Sequence, residues 1–216
     1  MISPDVTWAV GRVIVATPLA VAMRLRCYGS DRIPLSGGCV LAINHFAWID
    51  VIAFGSASPR TILYVAKSEA DRIPGVGHLM RFMGAFPIRR GESDRDAVRK
   101  MRQIVRDRKV LGVFAEGTRQ RSGVPGEVQP GAAMVAINEE VPVIPGAIQG
   151  SQTWRPWSFS PVTIAWGEPM RFDGLPRNGR GYREASIEIQ SKIRELWLWL
   201  VELHELDRPR TATPPR

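Results

Sequence analysis

The sequence predicts an α/β fold, in which a single layered domain has a central mixed sheet flanked by helices and is preceded by an apolar N-terminal helix. Short apolar runs of the kind that form strands alternate with helical patterns, which is typical of layered α/β proteins. The chain has 216 residues, 44% of them hydrophobic and 23% charged, so it is long enough to bury a core. No repeat or flexible linker divides it, and we expect one main domain over residues 29–207.

The first predicted element is a helix within residues 1–28. The stretch from Val6 to Met23 is mostly apolar, but Arg12 interrupts it. The part free of charged residues, Val13 to Met23, is about half of the roughly 20 apolar residues that a membrane-spanning helix needs. Arg24 follows it directly. We therefore expect a helix that lies in or against a membrane interface, with a plain core helix as the first alternative and a membrane-spanning helix as the second.

The predicted strands are short apolar runs rich in β-forming residues. They are Cys39–Ile43, Thr61–Ala66, Val110–Ala115, Val143–Ile148 and Val162–Trp166. A further short strand is expected just before Arg90. The order of strands and helical patterns favours a layered sheet over a helical bundle.

Two helices and a tail complete the predicted organisation. Ser93 is suited to cap a helix that carries four arginines at helical spacing. These are Arg95, Arg99, Arg102 and Arg106. They form either a solvated face or a contact with an anionic membrane surface or an acidic acyl donor. The last helix is expected over Tyr182–Leu206, where Leu196–Val201 is apolar all round and is therefore buried on several sides or in contact with lipid. The segment 208–216 is expected to be a flexible basic tail.

The net charge limits the partners. Lysine and arginine together number 29 against 21 aspartates and glutamates, which gives a net charge of +8. We therefore expect an anionic partner, and nucleic acid, anionic lipid and phosphorylated metabolites are all open at this point. Cys27 and Cys39 have neither metal-type spacing nor a second pair, so we expect no metal site and no disulfide.

The three histidines differ in their setting. His78 lies inside a helical pattern and His204 in an acidic turn, so we expect a structural residue and a surface residue. His45 directly follows the predicted strand Cys39–Ile43, at the strand end where catalytic groups of α/β sheets collect. Asp50 has the spacing of the first turn of the next helix, where its carboxylate would orient His45 as a general base. The alternative is an ordinary loop histidine.

Three further blocks carry residues suited to chemistry. Phe114-Ala115-Glu116-Gly117-Thr118-Arg119 ends an apolar strand, and its glycine turn, hydroxyl and guanidinium suit a phosphate. Gly84-Ala85-Phe86-Pro87-Ile88-Arg89-Arg90-Gly91 places a second guanidinium after a short strand. Val141-Pro142-Val143-Ile144-Pro145 is an apolar strand bracketed by two prolines.

Together with Asn44-His45-Phe46-Ala47-Trp48-Ile49-Asp50, these blocks, in this order, resemble the glycerophospholipid acyltransferase family, in particular the 1-acyl-sn-glycerol-3-phosphate acyltransferases. The resemblance covers roughly Gly29 to Phe172. It implies an acyltransferase-like α/β fold and a reaction that needs no metal or organic cofactor.

The resemblance implies that His45 removes the proton from the acceptor hydroxyl and that Asp50 orients the imidazole. The hydroxyl then attacks the thioester directly, so neither cysteine is needed as a nucleophile. It implies substrate-binding roles for Asn44, Lys67, Arg90, Glu116, Gly117, Thr118, Arg119, Pro142 and Pro145. Arg90 and residues 116–119 would hold the phosphate of the acceptor, and the two prolines would shape the substrate site.

Four positions depart from the pattern of the family. Ala47, Ala115 and Gln120 stand where Ser, Pro and Ser are usual, and none of the three removes a proposed catalytic group. Gln129 stands where a basic residue is usual. A neutral amide cannot make the same charge-assisted bond, which weakens the match to a phosphate-bearing acceptor.

The resemblance implies transfer of a fatty acyl group from acyl-CoA or an acyl carrier protein thioester to the free hydroxyl of a lysophospholipid, foremost 1-acyl-sn-glycerol-3-phosphate. Another lyso-lipid acceptor is the first alternative, and a non-catalytic basic protein that binds lipid or nucleic acid is the second. No nucleic-acid motif is visible, so we expect no nucleic-acid partner. We expect a peripheral or monotopic protein on an anionic membrane surface, at the cytoplasmic face of the cell membrane.

Overall fold

The fold is built on one sheet, in a computed structural model that describes residues 14, 16–67, 85–88 and 94–216, with backbone alone at 65–67, 85–88, 94 and 95. The strands are β1 Arg26–Tyr28, β2 Cys39–Ile43, β3 Ile62–Lys67, β4 Ala85–Ile88, β5 Val110–Phe114, β6 Val143–Gln149 and β7 Thr163–Trp166. Their order in the sheet is β1-β7-β6-β2-β5-β3-β4. The sheet is mixed, because β6 and β7 pair antiparallel and the other neighbours pair parallel.

One edge of this sheet matters for function. β2 ends at Ile43, which lies beside Phe114 of β5 and Gly146 of β6. The five strands β2 to β6 all end on this side. β1 and β7 run the other way and begin there, with Arg26 and Gln149 both opposite Thr163. We call this side of the sheet the His45 edge.

Helices cover both faces of the sheet. They are α1 Thr17–Ala22, α2 Asp50–Ser56, α3 Asp94–Arg106, α4 Gly131–Glu139 and α5 Gly179–Glu205. Leu41 and Ile43 of β2 face a core shared with α2, whereas Val40 and Ala42 face a second core shared with α3, α4 and α5. A strand buried on both faces is apolar throughout, which explains why the run Cys39–Ile43 shows no alternation.

The α/β prediction with a central mixed sheet is confirmed. β2 has its predicted bounds, and the other four predicted strands lie within one residue of theirs at each end. The short strand expected before Arg90 is β4. β1 was not predicted, because Arg-Cys-Tyr has no apolar run and becomes a strand only through its pairing with β7.

The N-terminal helix is described only in part. α1 covers six residues and includes the exposed Val21, while residues 1–13 and 15 lie outside the described residues. Within the described ranges, no helix has the length and apolar character needed to cross a bilayer. The expected contact of this helix with a membrane interface stays a prediction.

The C-terminal segment 208–216 differs from the expected flexible tail. The side chain of Arg208 is buried and donates a hydrogen bond to the carbonyl of Arg24, 2.9 Å away. Arg32 donates to the carbonyl of Pro214 at 2.9 Å. The tail is therefore held by hydrogen bonds between arginine side chains and backbone carbonyls, given by its own Arg208 and received from Arg32, and such contacts leave no apolar pattern in the sequence.

The arginines of α3 are engaged with acidic side chains. Arg102 and Arg106 both form ion pairs with Glu139 of α4, and Arg99 pairs with Asp96. The described part of the predicted arginine stripe thus joins α3 to α4, and only some of its charge is left for an external anion.

The last helix begins earlier than predicted, because Asn178 caps it. The side chain of Asn178 accepts hydrogen bonds from the N–H groups of Arg180 and Gly181. Within the all-apolar segment, Leu200 is buried while Leu198 is exposed. The segment is therefore covered by the sheet on one side only.

Candidate active site

The site begins where β2 ends. Asn44 is fully buried, and both ends of its amide bind the backbone of Ile148. Its Nδ2 donates to the carbonyl at 3.1 Å, and its Oδ1 accepts from the N–H at 2.8 Å. The side chain predicted to bind substrate thus fastens β2 to β6 and fixes the point at which the chain turns towards His45.

His45 and Asp50 form the predicted pair. Asp50 is the first residue of α2, and its Oδ2 lies 2.8 Å from Nδ1 of His45. The same oxygen accepts hydrogen bonds from the N–H groups of Phe46 at 2.6 Å and Ala47 at 2.8 Å. The carboxylate has no accessible surface. Because a carboxylate accepts from Nδ1–H, the lone pair of His45 is placed on Nε2.

The His45 ring is held on its face as well as at its edge. It stacks on Phe114 of β5, with 3.9 Å between ring centroids. The imidazole remains partly accessible, whereas Asp50 does not. Oδ1 of Asp50 is buried without a hydrogen-bond partner in the described part of the chain. An unpaired buried oxygen is a local cost of a kind that occurs at functional sites.

Glu116 is bound to the backbone on both sides of the site, and its predicted contact with substrate stays a prediction. Its Oε2 accepts from the N–H of His45 at 2.9 Å, and its Oε1 accepts from the N–H of Gly126 at 2.7 Å. Burial raises the pKa of this carboxyl to about 7; the charge of Asp50 also raises it, and the two N–H bonds act in the opposite direction. Each oxygen accepts a hydrogen bond from the backbone, so Glu116 braces the N–H of His45 and joins it to Gly126.

The turn after Glu116 exposes the remaining predicted phosphate ligands. Gly117 has φ +69°, a left-handed conformation that disfavours other residues, and its N–H donates to the carbonyl of Phe114. Thr118 and Arg119 follow on the surface. The N–H of Gln120 then donates to the carbonyl of His45 at 2.8 Å. This bond holds the Arg119 loop beside His45.

The other predicted site residues lie at different depths of the sheet. Lys67 is the last residue of β3 and reaches the His45 edge, although only its backbone is described. Arg90 lies outside the described residues. Pro145 is buried within β6 opposite Ala42. Pro142 precedes β6 and therefore lies at the opposite edge of the sheet from His45.

The cysteines are unsuited to nucleophilic chemistry. Burial raises the pKa of both Cys27 and Cys39 to about 11, so neither is a thiolate at neutral pH. In the residues that the structure describes, no group of three or more histidine, cysteine or acidic side chains is placed to hold a metal ion. His45 is placed so that Nε2 could take up a proton.

His204 differs from the expected surface residue. Its Nε2 lies 2.7 Å from the hydroxyl of Thr163 in β7, and the residue is half-buried. Burial lowers the pKa of His204 to about 4, and the charge of Arg208 adds to this effect. The acidic neighbours in sequence suggested exposure, but α5 turns this side of the helix towards the sheet.

The sequence did not predict the contacts that hold His45 in place. Glu116, Gln120 and Phe114 act through hydrogen bonds and stacking on His45. The only signal available was their position at or after the end of an apolar strand, because parallel strands end at one edge and their following loops meet there.

Comparisons with known proteins cover most of the chain. The family model described as Acyltransferase matches residues 24–149. The 1-acyl-sn-glycerol-3-phosphate acyltransferase of Bacillus subtilis (strain 168) is 28% identical over 190 residues, which cover 84% of this chain and 94% of that protein. The protein of the same name from Streptococcus pneumoniae (strain ATCC BAA-255 / R6) is 26% identical over 175 residues, 78% of this chain and 64% of that protein.

A solved structure has the same architecture. The crystal structure of the 1-acyl-sn-glycerophosphate (LPA) acyltransferase PlsC from Thermotoga maritima superposes with a TM-score of 0.64 and 22% identity. The alignment covers 93% of this chain and 83% of that chain. At this level of identity the likeness establishes the fold.

Proposed function

Because the chain belongs to the acyltransferase family, we propose that it transfers a fatty acyl group from an acyl thioester to the free hydroxyl of a lysophospholipid, foremost 1-acyl-sn-glycerol-3-phosphate, giving phosphatidic acid. The observation that carries the proposal is the buried Asp50 carboxylate on Nδ1 of His45, beside the exposed Thr118 and Arg119. A base and a cation for phosphate thus stand at one edge of the sheet.

The proposed mechanism is direct transfer. Nε2 of His45 takes the proton of the acceptor hydroxyl as the oxygen attacks the thioester carbonyl, and Asp50 stabilises the imidazolium that forms. A tetrahedral oxyanion results. Its collapse forms the ester, breaks the carbon–sulfur bond and releases the thiol, which receives the proton from His45. No covalent acyl-enzyme is needed, in keeping with the raised pKa of both cysteines.

In this proposal, one set of hydrogen-bond donors binds the phosphate of the acceptor and another stabilises the oxyanion. Arg119, with Arg90, binds the phosphate of the acceptor, and the hydroxyl of Thr118 adds a hydrogen bond. The N–H of Gly117 is already bonded to Phe114 and is not free for the oxyanion. The N–H groups of Thr118 and Arg119, one step further along the exposed turn, are the better candidates for that role.

The test is a transfer assay with both substrates varied. Purified protein is incubated with acyl-CoA or an acyl carrier protein thioester and a panel of lysolipids, and products are detected by mass spectrometry. We expect phosphatidic acid from 1-acyl-sn-glycerol-3-phosphate, and loss of the product in His45→Ala. Full activity in His45→Ala would refute the general base, and no product with any acceptor would refute the proposed reaction.

The phosphate ligand is tested separately. Arg119→Ala is expected to raise the acceptor KM about tenfold or more, since a charge-assisted bond to phosphate is lost. Arg121→Ala, an exposed arginine two residues further along the same loop, is the matched control. Both are assayed with a short-chain acceptor that is soluble as a monomer. An equal rise of KM in the two variants would show that only general charge matters.

A second acceptor class has one observation in its favour. The backbone N–H of Gln129 donates to the carbonyl of Ala115, and its side chain lies over Gly117. A neutral amide therefore stands beside the proposed phosphate site. Another lyso-lipid acceptor would fit this neutral contact better. Faster turnover of a lyso-aminolipid than of 1-acyl-sn-glycerol-3-phosphate in the same panel would select this alternative.

The proposed place of action is an anionic membrane surface at the cytoplasmic face of the cell membrane. The net charge of +8 supports attraction to anionic lipid. Ile14, before α1, and Val21, within it, are exposed apolar residues that could contact lipid. Fractionation of cells that express the protein tests this placement.

A further inference from the structure

Exposed apolar side chains gather at the His45 edge. Ten large hydrophobic side chains are exposed in the described residues, and six of them lie on elements that begin or end there: Val21, Trp48, Val124, Trp157, Phe159 and Leu206. An exposed apolar residue alone needs no explanation, but a group on one side of a molecule marks a surface that contacts something. The chemistry of its residues indicates the kind of partner that this surface contacts.

The loop between β6 and β7 presents the most exposed aromatic rings. Trp157 is 86% exposed and Phe159 is 51% exposed. Both have left-handed backbone conformations, with φ +69° and +49°. The hydroxyl of Ser158 accepts hydrogen bonds from the N–H groups of Arg155 and Ser160, which braces the turn. The fold therefore holds two aromatic rings in water on a strained, braced turn.

This loop is connected to the proposed catalytic loop, residues 44–50. Trp154 is buried and packs edge-on against Trp48, with 6.1 Å between ring centroids. Trp48 lies between His45 and Asp50 in the chain and is 54% exposed. We call Trp48, Trp157 and Phe159 the aromatic rim.

The charges around the aromatic rim are mainly positive. Arg155 is exposed beside Trp157, and Arg119 and Arg121 are exposed on the loop after β5. The loop between β6 and β7 contains no acidic residue, and the loop after β5 has Glu127 as its only exposed one. Aromatic side chains with basic neighbours are suited to the headgroup region of a bilayer, where the rings meet the acyl chains and the arginines meet lipid phosphates.

We infer that the aromatic rim docks the His45 edge onto a bilayer leaflet that contains anionic lipids. The inference rests on the proposed function for the identity of the acceptor, and it adds a second contact to the N-terminal helix. An acceptor in the leaflet then reaches His45 without leaving the membrane. The rim adjoins the site, so docking and substrate entry use one surface.

The test removes two rings and leaves the catalytic loop untouched. In Trp157→Asn/Phe159→Asn, asparagine tolerates the left-handed backbone of both positions. Ile187→Gln/Leu198→Gln is the matched control, because these side chains are 69% and 55% exposed on α5. Co-sedimentation is measured with vesicles of phosphatidylcholine alone or mixed with phosphatidylglycerol. We expect the rim variant to bind mixed vesicles at least about tenfold more weakly and the control to bind as the parent does.

Activity separates docking from catalysis. With the acceptor in mixed vesicles, the rim variant should lose activity in step with binding. With a short-chain acceptor dissolved as a monomer, it should match the parent. A parent that binds vesicles through the rim but transfers no acyl group would refute the proposed function and leave the docking surface standing.

Three results would overturn the inference. The first is equal vesicle binding by the parent and the rim variant, and the second is an equal loss in the control. The third is self-association of the parent, seen by sedimentation velocity without lipid and lost in the rim variant, which would assign the surface to a second copy of the chain. Parent binding that does not increase with phosphatidylglycerol would overturn its electrostatic part.

Discussion

A single carboxylate oxygen organises the proposed catalytic loop, residues 44–50. Oδ2 of Asp50 binds the imidazole of His45 and the N–H groups of Phe46 and Ala47. One atom thus fixes the ring and the backbone beside it, because all three donors must converge on it. Glu116 fixes the N–H of His45 from the other side. The direction of the Nε2 lone pair is therefore set before any substrate arrives.

Asp50→Asn should damage the reaction far more than binding. The amide of asparagine cannot replace an oxygen that accepts three hydrogen bonds, so His45 loses its orientation and its charge partner. We expect kcat to fall at least about 100-fold with little change in the acceptor KM. Asp31→Asn, an exposed aspartate at the opposite edge, should keep its kcat. Steady-state kinetics at a temperature where both variants are folded decide the matter. A kcat near that of the parent would contradict the orienting role.

Glu116 should make stability depend on pH. Burial raises its pKa from the ordinary 4.5 to about 7, so the folded protein binds more protons than the unfolded chain between these values. The stability that this group contributes is present below pH 4.5 and is lost as pH rises through 7. The free energy of unfolding of the parent should fall, relative to Glu116→Gln, by on the order of 3 kcal/mol across this window. Urea unfolding at pH 4.5 and 8 measures it, and parallel curves for the two proteins would contradict it.

The sequence predicts the positions of the proposed reacting groups better than those of the residues that support them. His45 and Asp50 were identified from their position after a strand and at a helix start, and both positions are found. The tasks of Asn44 and Glu116 were not, because their amide and carboxylate bind backbone groups of Ile148 and Gly126, which lie far away in the chain. A side chain that serves a distant backbone group carries no local pattern.

At the scale of elements, α5 is attached at its end by a histidine. His204 meets Thr163 at the start of β7, and the same turn leads into the buried Arg208. The helix face Ile189, Ile193, Leu196, Leu200 and Leu203 was visible in the sequence as an apolar stripe and is buried. The polar contact at its end was not visible, because the residues around His204 in the sequence are acidic.

His204 should weaken the fold in acid. Burial lowers its pKa from 6.5 to about 4, so the unfolded chain binds more protons than the folded protein between these values. Stability is therefore lost as pH falls from 6.5 towards 4. After allowance for partial exposure we expect the parent to lose about 2 kcal/mol more than His204→Gln over this window. Chemical unfolding at pH 7 and pH 4.5 measures the difference. An equal loss in both proteins would show that other groups cause it.

The pairing of α3 with α4 uses part of the positive charge of the predicted arginine stripe. Glu139 accepts from both Arg102 and Arg106, and these bonds lower the pKa of Glu139 although its burial acts in the opposite direction. The sequence predicts the helix and its arginine spacing, but an ion pair between two helices depends on how they pack. Reversal of these arginine charges would therefore disturb the contact of α3 with α4 as well as any external anion.

Across the whole molecule, the positive charge has several separate uses. Part of it is bound within the protein, since Arg208 is buried and Arg102 and Arg106 pair with Glu139. Another part lies on the loops of the His45 edge, among exposed aromatic rings. Composition predicted an anionic partner but gave no positions. The positions follow from the sheet, since strand directions decide which loops meet at one edge.

The C-terminal tail closes the outer edge of the sheet. β1 is the edge strand beside β7. The tail contacts Arg24, which precedes β1, and Arg32, which follows β1. The hydroxyl of Tyr28 donates to the carbonyls of Arg208 and Pro209. An uncovered edge strand is prone to pair with other chains, and a covering segment prevents this.

Deletion of residues 209–216 should therefore destabilise the protein without altering catalysis. It removes the carbonyls of Pro214 and Pro215 to which Arg32 donates, and that of Pro209 to which Tyr28 donates. At about 1 kcal/mol for each bond, we expect Tm to fall by about 5–10 °C. Below this temperature kcat should match that of the parent, because the tail lies three strands away from β2. Arg210→Gln, at an exposed position of the tail, should keep the parental Tm. Calorimetry measures both variants, and an unchanged Tm after the deletion would mean that the tail contacts contribute nothing to the folded state.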